Sequence, residues 1–249
     1  MRVFYEDDHL AVVEKPAGII VHRTPGKQER TFLDELNDYF STASMESDQP
    51  SSAKLVHRLD RGTSGLMIVA RSTSAAQSLV SSFRERSIRK GYVALAFGST
   101  PRLFAVKVPL AKISQRPARY GVDITKGRKA ETFFETAWSS DDFSLLRVKP
   151  ITGRTNQIRI HSAWKGHPIV GDTWYRGTYT PITPWQKYLY RNASRLCLHA
   201  YHLDFDHPVW KARMRFWCPL PDSFLEIIRS VSSEAVNLDI PVGPSSTEV

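Results

Sequence analysis

Residues 57–71 read His57-Arg58-Leu59-Asp60-Arg61-Gly62-Thr63-Ser64-Gly65-Leu66-Met67-Ile68-Val69-Ala70-Arg71. The second half is an apolar run bounded by Gly and Arg, which predicts a strand over 65–71 of the fully buried kind. The first half is polar. Asp60 lies between two arginines and ahead of Gly-Thr-Ser-Gly, a turn sequence that opens backbone groups to a ligand. Opposite charge nearby keeps a carboxylate ionised, the state a nucleophile needs. An acidic turn residue bonded to local amides is the plainer alternative.

Working outward, Ser72 or Thr73 caps a predicted helix with Ala75, Ala76, Leu79, Val80 and Phe83 on one face, ending in the basic cluster 84–89. Upstream, 3–5, 10–14 and 18–22 read as short strands, the last two separated by the turn Lys15-Pro16-Ala17-Gly18. Residues 31–40 read as a helix capped by Thr31, and the Ser-rich stretch 41–52 as a loop. Strands follow at 91–97 and 104–110, a basic loop at 116–129, and a hairpin from 132–138 and 143–148. After Gly153 the spacing of Ile158, His161, Ala163 and Trp164 predicts a helix closed by Gly166. Residues 196–205 and 214–217 are strand-like, and Asp222 caps a last helix burying Phe224, Leu225, Ile227 and Ile228. Many strands, few helices and no regular alternation predict an α/β chain of the α+β type. Its central sheet is mixed but mostly antiparallel, with helices against it.

Composition narrows the class. The 249 residues are 41% hydrophobic and 24% charged, ordinary for a globular protein. The longest apolar stretch, about six residues around 66–70, is far short of the roughly 20 that span a bilayer. Glu6, Asp7 and Asp8 stand where a secretory signal needs basic residues, so a cytoplasmic protein is expected. Cys197 and Cys218 read as buried free thiols. The histidines lack partners at metal-ligand spacing, and neither a Walker-type loop nor G-x-G-x-x-G is present, so no metal, nucleotide or other cofactor is called for. Of the net charge of +9, residues 54–130 hold a concentrated share, 16 basic against 3 acidic groups. Such an excess points to a polyanion, and RNA or DNA is the usual one. Scatter over opposite faces is the plainer reading.

Two further segments concentrate chemistry. In Lys90-Gly91-Tyr92-Val93-Ala94 an aromatic strand residue follows a basic stretch and can stack on an exposed base. In Gly153-Arg154-Thr155-Asn156-Gln157-Ile158-Arg159-Ile160-His161 two arginines and a helix start offer an anion site, and Gly166-His167-Pro168-Ile169-Val170-Gly171-Asp172 follows. Read singly, Tyr92 is as well explained by the core and the arginines by a solvated helix face.

Together, in order, these blocks strongly resemble the RluA-type RNA pseudouridine synthases. HRLDRGTSGLMIVAR is similar to that family's catalytic signature, KGYVALAFG to its tyrosine strand, and PITGRTNQIRIHSAWKGHPIVGD to its third motif. YEDDHLAVVEKPAGIIVH and LCLHAYHLDFDHP match as well, so the resemblance runs from about Tyr5 to Pro219. It implies a pseudouridine synthase fold with two subdomains around a catalytic cleft, covering 1–230, and a flexible tail over 231–249. It implies Asp60 as nucleophile, Tyr92 stacked on the uracil and taking the C5 proton, and Arg159 paired with Asp60. Arg58 matches the position that fills the gap left by the flipped nucleotide. Ile158 or Ile160 packs against the tyrosine or base, and Arg61, Thr63, Ser64, Lys90, Arg154, Asn156 and Gln157 complete the expected RNA-binding set. Two residues depart from the pattern: Asn156 replaces the histidine of GRTHQIR, and Arg176 follows Tyr175 where glycine is common. With Leu10 onward already matching the catalytic domain, the small N-terminal RNA-binding domain of many relatives is not expected here. A monomer acting on ribosomal or transfer RNA is expected. An RNA-binding protein without catalysis would have a replaced Asp60, Tyr92 or Arg159. A carboxylate-nucleophile nucleosidase would need a second carboxylate close by.

Overall fold

The computed structural model describes residues 1–23, 26, 28–43, 52–115 and 118–232. The chain forms two compact units, one from Met1–Arg89 with Ala200–Cys218, the other from Lys90–His199 with 219–232. Among the described residues no helix is long and apolar enough to cross a membrane.

In the first unit β1 (Arg2–Glu6) pairs antiparallel with β2 (Leu10–Lys15), and β2 pairs antiparallel with β4 (Ser64–Ala70). The short β3 (Lys54–Leu55) also pairs with β4, β11 (Leu198–Asp206) lies beside β4, and β12 (Arg213–Trp217) pairs antiparallel with β11. Every residue of β4 is buried, as its unbroken apolar run predicts. Leu66, Ile68 and Ala70 join Leu10 and Val12 in a core with Ala75 and Leu79 of α2 (Thr73–Glu85) and with Leu203, Phe205, Met214 and Phe216. Ser72 caps α2, its hydroxyl accepting from the Ala75 amide at 3.2 Å. Gly65 has φ +114°, and a Cβ there would stand 2.2 Å from the Ala200 carbonyl oxygen, so only glycine lets β11 approach this closely.

Helix α1 (Phe32–Ala43) runs three residues beyond the expected 31–40, with Thr31 as its cap. Residues 18–22 are not a strand. Their carbonyls are used elsewhere: Ile20 and Val21 accept from the Phe32 and Leu33 amides at the open end of α1. The remainder of the expected 41–52 loop, residues 44–51, and the tail from 233 lie outside the described residues.

In the second unit β5 (Arg89–Phe97), β10 (Phe143–Pro150), β9 (Thr132–Ser139) and β6 (Leu103–Val106) pair in that order, all antiparallel. The expected strand over 104–110 splits: β6 ends at Val106 and Leu110 opens β7 (Leu110–Gln115), which pairs with β8 (Ala118–Val122). The expected basic loop 116–129 is therefore partly a strand. Its Tyr120 and Val122 pack with Leu110, Ala130, Ile160 and Tyr175, while Arg119 faces water, so the apolar signal is one-sided and weak. Helix α3 (Gln157–Trp164) falls where its periodicity predicts. Helix α4 (Pro184–Asn192) was not foreseen, though Thr183-Pro184-Trp185-Gln186 carries a capping box with proline at the first turn. In α5 (Asp222–Val231) the cap is Pro221, and Asp222 instead sits in the first turn, where its charge suits the positive end of the helix. Both cysteines are buried thiols outside any disulfide, and burial pushes the Cys197 thiol up to about 12.

Candidate active site

In the first unit, the loop carrying Asp60 is held at several points. Lys15 is fully buried, and its ammonium donates to the carbonyls of Pro16 (2.6 Å), Ile19 (2.9 Å) and Arg61 (3.2 Å). The Gly18 amide donates to the same Arg61 carbonyl at 2.8 Å, so the Lys-Pro-Ala-Gly turn is locked to the loop. At the other end, His57 Nε2 accepts from the Ile68 amide at 2.8 Å, and its ring stacks on Phe83 at 4.5 Å. Between these anchors the Thr63 amide donates to the Asp60 carbonyl at 3.1 Å, closing the turn. Leu59 points into the core and Asp60 is half-buried. Arg58 and Arg61 are exposed; Arg58 lies 3.4 Å from His22, and Arg61 pairs with Glu29 and reaches the Gly18 carbonyl. Thr63 and Ser64 are buried, so their side chains lie beneath the loop.

In the second unit, Tyr92 is half-buried on β5, directly across from Val148 of β10. Lys90, two residues earlier, has its ammonium 3.5 Å from where a Gly153 Cβ would stand, and burial pushes its pKa down. Arg154 donates from Nε to the Lys129 carbonyl at 3.1 Å. Gln157 is buried and fully occupied: Oε1 accepts from Thr152 Oγ1 and the Arg154 amide, while Nε2 donates to the Glu131 carbonyl and Thr132 Oγ1. Ile158 and Ile160 are buried, Ile160 against the β7–β8 hairpin.

Arg159 is the best-constrained side chain here. Its Nε and Nη2 make a bidentate pair with Asp172 at 2.7 and 2.9 Å, and Nη1 donates to Asn156 Oδ1 at 2.9 Å. The guanidinium also lies 4.8 Å from the Tyr175 ring centroid. Asp172 is fully enclosed and additionally accepts the amides of Trp174 and Tyr175, both at 2.9 Å. Asn156 sits at the N-terminus of α3 with φ +56°, a conformation that asparagine and histidine tolerate better than most residues. Its side chain caps no helix amide. It bridges Arg159 to the Tyr175 hydroxyl, to which Nδ2 donates at 2.9 Å. Asn156 thus supplies a polar link between the arginine and Tyr175. Gly171, with φ +79°, passes so close to Arg195 that a Cβ would fall 1.8 Å from its carbonyl oxygen. This fixes the loop that presents Asp172.

Asp172, Lys15 and His57 stand within the motifs and Tyr175 three residues beyond the third, but the sequence assigns none of them a role. Asp172 had one visible cue, a lone carboxylate following Gly-His-Pro-Ile-Val-Gly within reach of an arginine-bearing helix. The other three act through residues distant in sequence: Lys15 on Arg61, His57 on Phe83 and Tyr175 on Asn156.

The chain is similar to known proteins over nearly its whole length. Residues 9–164 match the model of the RNA pseudouridylate synthase family. The ribosomal large subunit pseudouridine synthase D of Vibrio cholerae is 32% identical over 242 residues, covering 94% of this chain and 72% of that protein. The protein of the same name from Pseudomonas aeruginosa is 33% identical over 231 residues, covering 92% and 71%. Among solved structures, human RNA pseudouridylate synthase domain containing 4 shares the fold, with a TM-score of 0.74 at 23% identity over 94% of each chain. The chain therefore belongs to the RluA-type RNA pseudouridine synthases, isomerases that act on RNA.

Proposed function

We propose that this enzyme converts a uridine of large-subunit ribosomal RNA to pseudouridine with Asp60 as its nucleophile. The N1–C1′ glycosidic bond breaks, the freed uracil turns, a C5–C1′ bond forms, and the C5 proton leaves to a base. The observation that carries this reading is Asp60 itself. It stands half-buried, not enclosed, at the head of a loop anchored by Lys15 and His57, within the residues matched by the family model. Its carboxylate bonds to the nucleoside as the N1–C1′ bond is lost and is released again as the C5–C1′ product forms. Tyr92 stacks on the uracil and receives the C5 proton, and Arg159 keeps the carboxylate charged and aimed. Arg58, exposed beside Asp60, enters the space that the flipped nucleotide leaves. Extruding a paired base costs a few kcal/mol, which phosphate contacts from the basic 54–130 segment offset.

The ribosomal target follows the relatives' names. The catalytic domain spans 1–230, and the enzyme works as a cytoplasmic monomer. The test incubates the protein with ribosomal RNA tritiated at uridine C5, counts released tritium and maps the new pseudouridines. Release with a pseudouridine in large-subunit RNA supports the reading. Release only from transfer RNA refutes the assigned target, and free uracil as product refutes isomerisation.

A further inference from the structure

Trp174 is half exposed, at 50%, although it follows the buried Asp172 by only two residues. Half of its surface is therefore open to a ligand. Its backbone is not loose: the Trp174 amide donates to the same Asp172 Oδ1 that holds Arg159. From the β8 strand, the Arg119 guanidinium lies 5.0 Å from the Trp174 ring centroid. The hairpin behind them is anchored, since Tyr120 and Val122 pack with Ile160 of α3 and with Tyr175. Lys112 and Arg119 on the hairpin, and Lys126, Arg128 and Lys129 just after it, are all exposed. A half-exposed aromatic ring with one cation over it, on a segment that carries further exposed cations, matches one chemistry: a base with its phosphates. An apolar protein partner would not call for the cations, and an acidic peptide would not call for the indole.

We propose that Trp174 and Arg119 form a stacking platform for an unpaired nucleotide of the RNA substrate other than the target uridine, the Arg119 guanidinium also serving its phosphate. The proposal rests on the RNA-modifying reading above and adds a specificity determinant to it. Because one carboxylate, Asp172, fixes both Arg159 and the backbone of Trp174, a nucleotide stacked here is registered against the arginine assigned to catalysis.

The test measures the dissociation constant for a single-stranded oligouridylate of about twelve nucleotides and for ribosomal RNA stripped of protein. Trp174→Ala, Trp174→Leu, Trp174→Tyr and Arg119→Gln are compared with wild type. Stacking is worth a factor of roughly 5 to 150 in binding. Trp174→Ala and Trp174→Leu are expected to weaken both RNAs within that range, while Trp174→Tyr stays within about threefold. RNA is also expected to quench tryptophan emission, with the quench reduced in Trp174→Tyr. Equal binding by the leucine and tyrosine variants would reduce Trp174 to apolar packing and overturn the proposal. So would a loss confined to kcat, which would mark Trp174 only as a support for Asp172. Wild-type protein that binds RNA through Trp174 yet releases no tritium would refute the catalytic reading and leave the platform standing.

Discussion

Asp172→Ala isolates the ion pair that holds Arg159. The Asp172 side chain is fully enclosed and that of Arg159 is 13% exposed, so solvent screens the pair little. Removing the carboxylate takes the acceptors from the Nε/Nη2 edge of Arg159 and from two backbone amides, those of Trp174 and Tyr175. Breaking a buried pair from one side costs about 3–5 kcal/mol, much of it from the charge left behind. At this chain length that lowers the melting temperature by roughly 10 °C. Asp172→Asn keeps one acceptor oxygen for the amides but turns an N–H toward Arg159, so its cost falls below that of alanine. Urea unfolding gives both values, and tritium release gives the activity. Replacing the pair together, as Arg159→Met with Asp172→Leu, removes the stranded charge and is expected to recover at least half of the lost stability. Tritium release is expected to be lost in the single and the double variant alike, because the role proposed for Arg159 needs its guanidinium in place. A cost below about 1 kcal/mol for Asp172→Ala, or a double variant that regains turnover, would refute the reasoning.

Lys15→Met removes three charge-assisted bonds at a fully buried position and is expected to cost about 2–4 kcal/mol, read from urea unfolding. A loss below about 1 kcal/mol would mean the turn does not brace the Asp60 loop. Gly65→Ala drives a Cβ into the Ala200 carbonyl at a positive φ and is expected to cost about 3 kcal/mol or more, measured by thermal unfolding. His161 is buried between Thr132 Oγ1 and the Val108 carbonyl, and burial pushes its pKa below the usual 6.5. The unfolded chain then takes up the proton first. Its contribution to stability is full above 6.5 and is lost as pH falls toward the lowered folded value. His161→Asn should flatten the stability profile over that interval; an unchanged profile would assign the pH dependence elsewhere.

The elements that could be read in advance are those whose burial shows in a single segment. The apolar run of β4, the capped and periodic α2, and α3 after Gly153 all declare themselves within about a dozen residues. The β7–β8 hairpin did not, because its apolar residues meet α3 and Tyr175 only after folding and its outer face is basic. Residues 18–22 have strand-like composition, yet their carbonyls serve the first amides of α1, a use that alternation cannot reveal. At the site, the catalytic blocks were legible as motifs, and the family membership bears out the resemblance they carried. What motifs could not supply was the support: Lys15 beneath Arg61, His57 on Ile68 and Asp172 on Arg159 each join residues whose neighbourhood exists only in three dimensions.

The most direct measurement compares wild type with Asp60→Asn in a single-turnover tritium-release assay on ribosomal RNA labelled at uridine C5, alongside binding of the same RNA. Wild type is expected to release label stoichiometrically, while Asp60→Asn binds the RNA within about threefold of wild type and releases none. Release by Asp60→Asn within about tenfold of the wild-type rate would show that the isomerisation does not pass through this carboxylate.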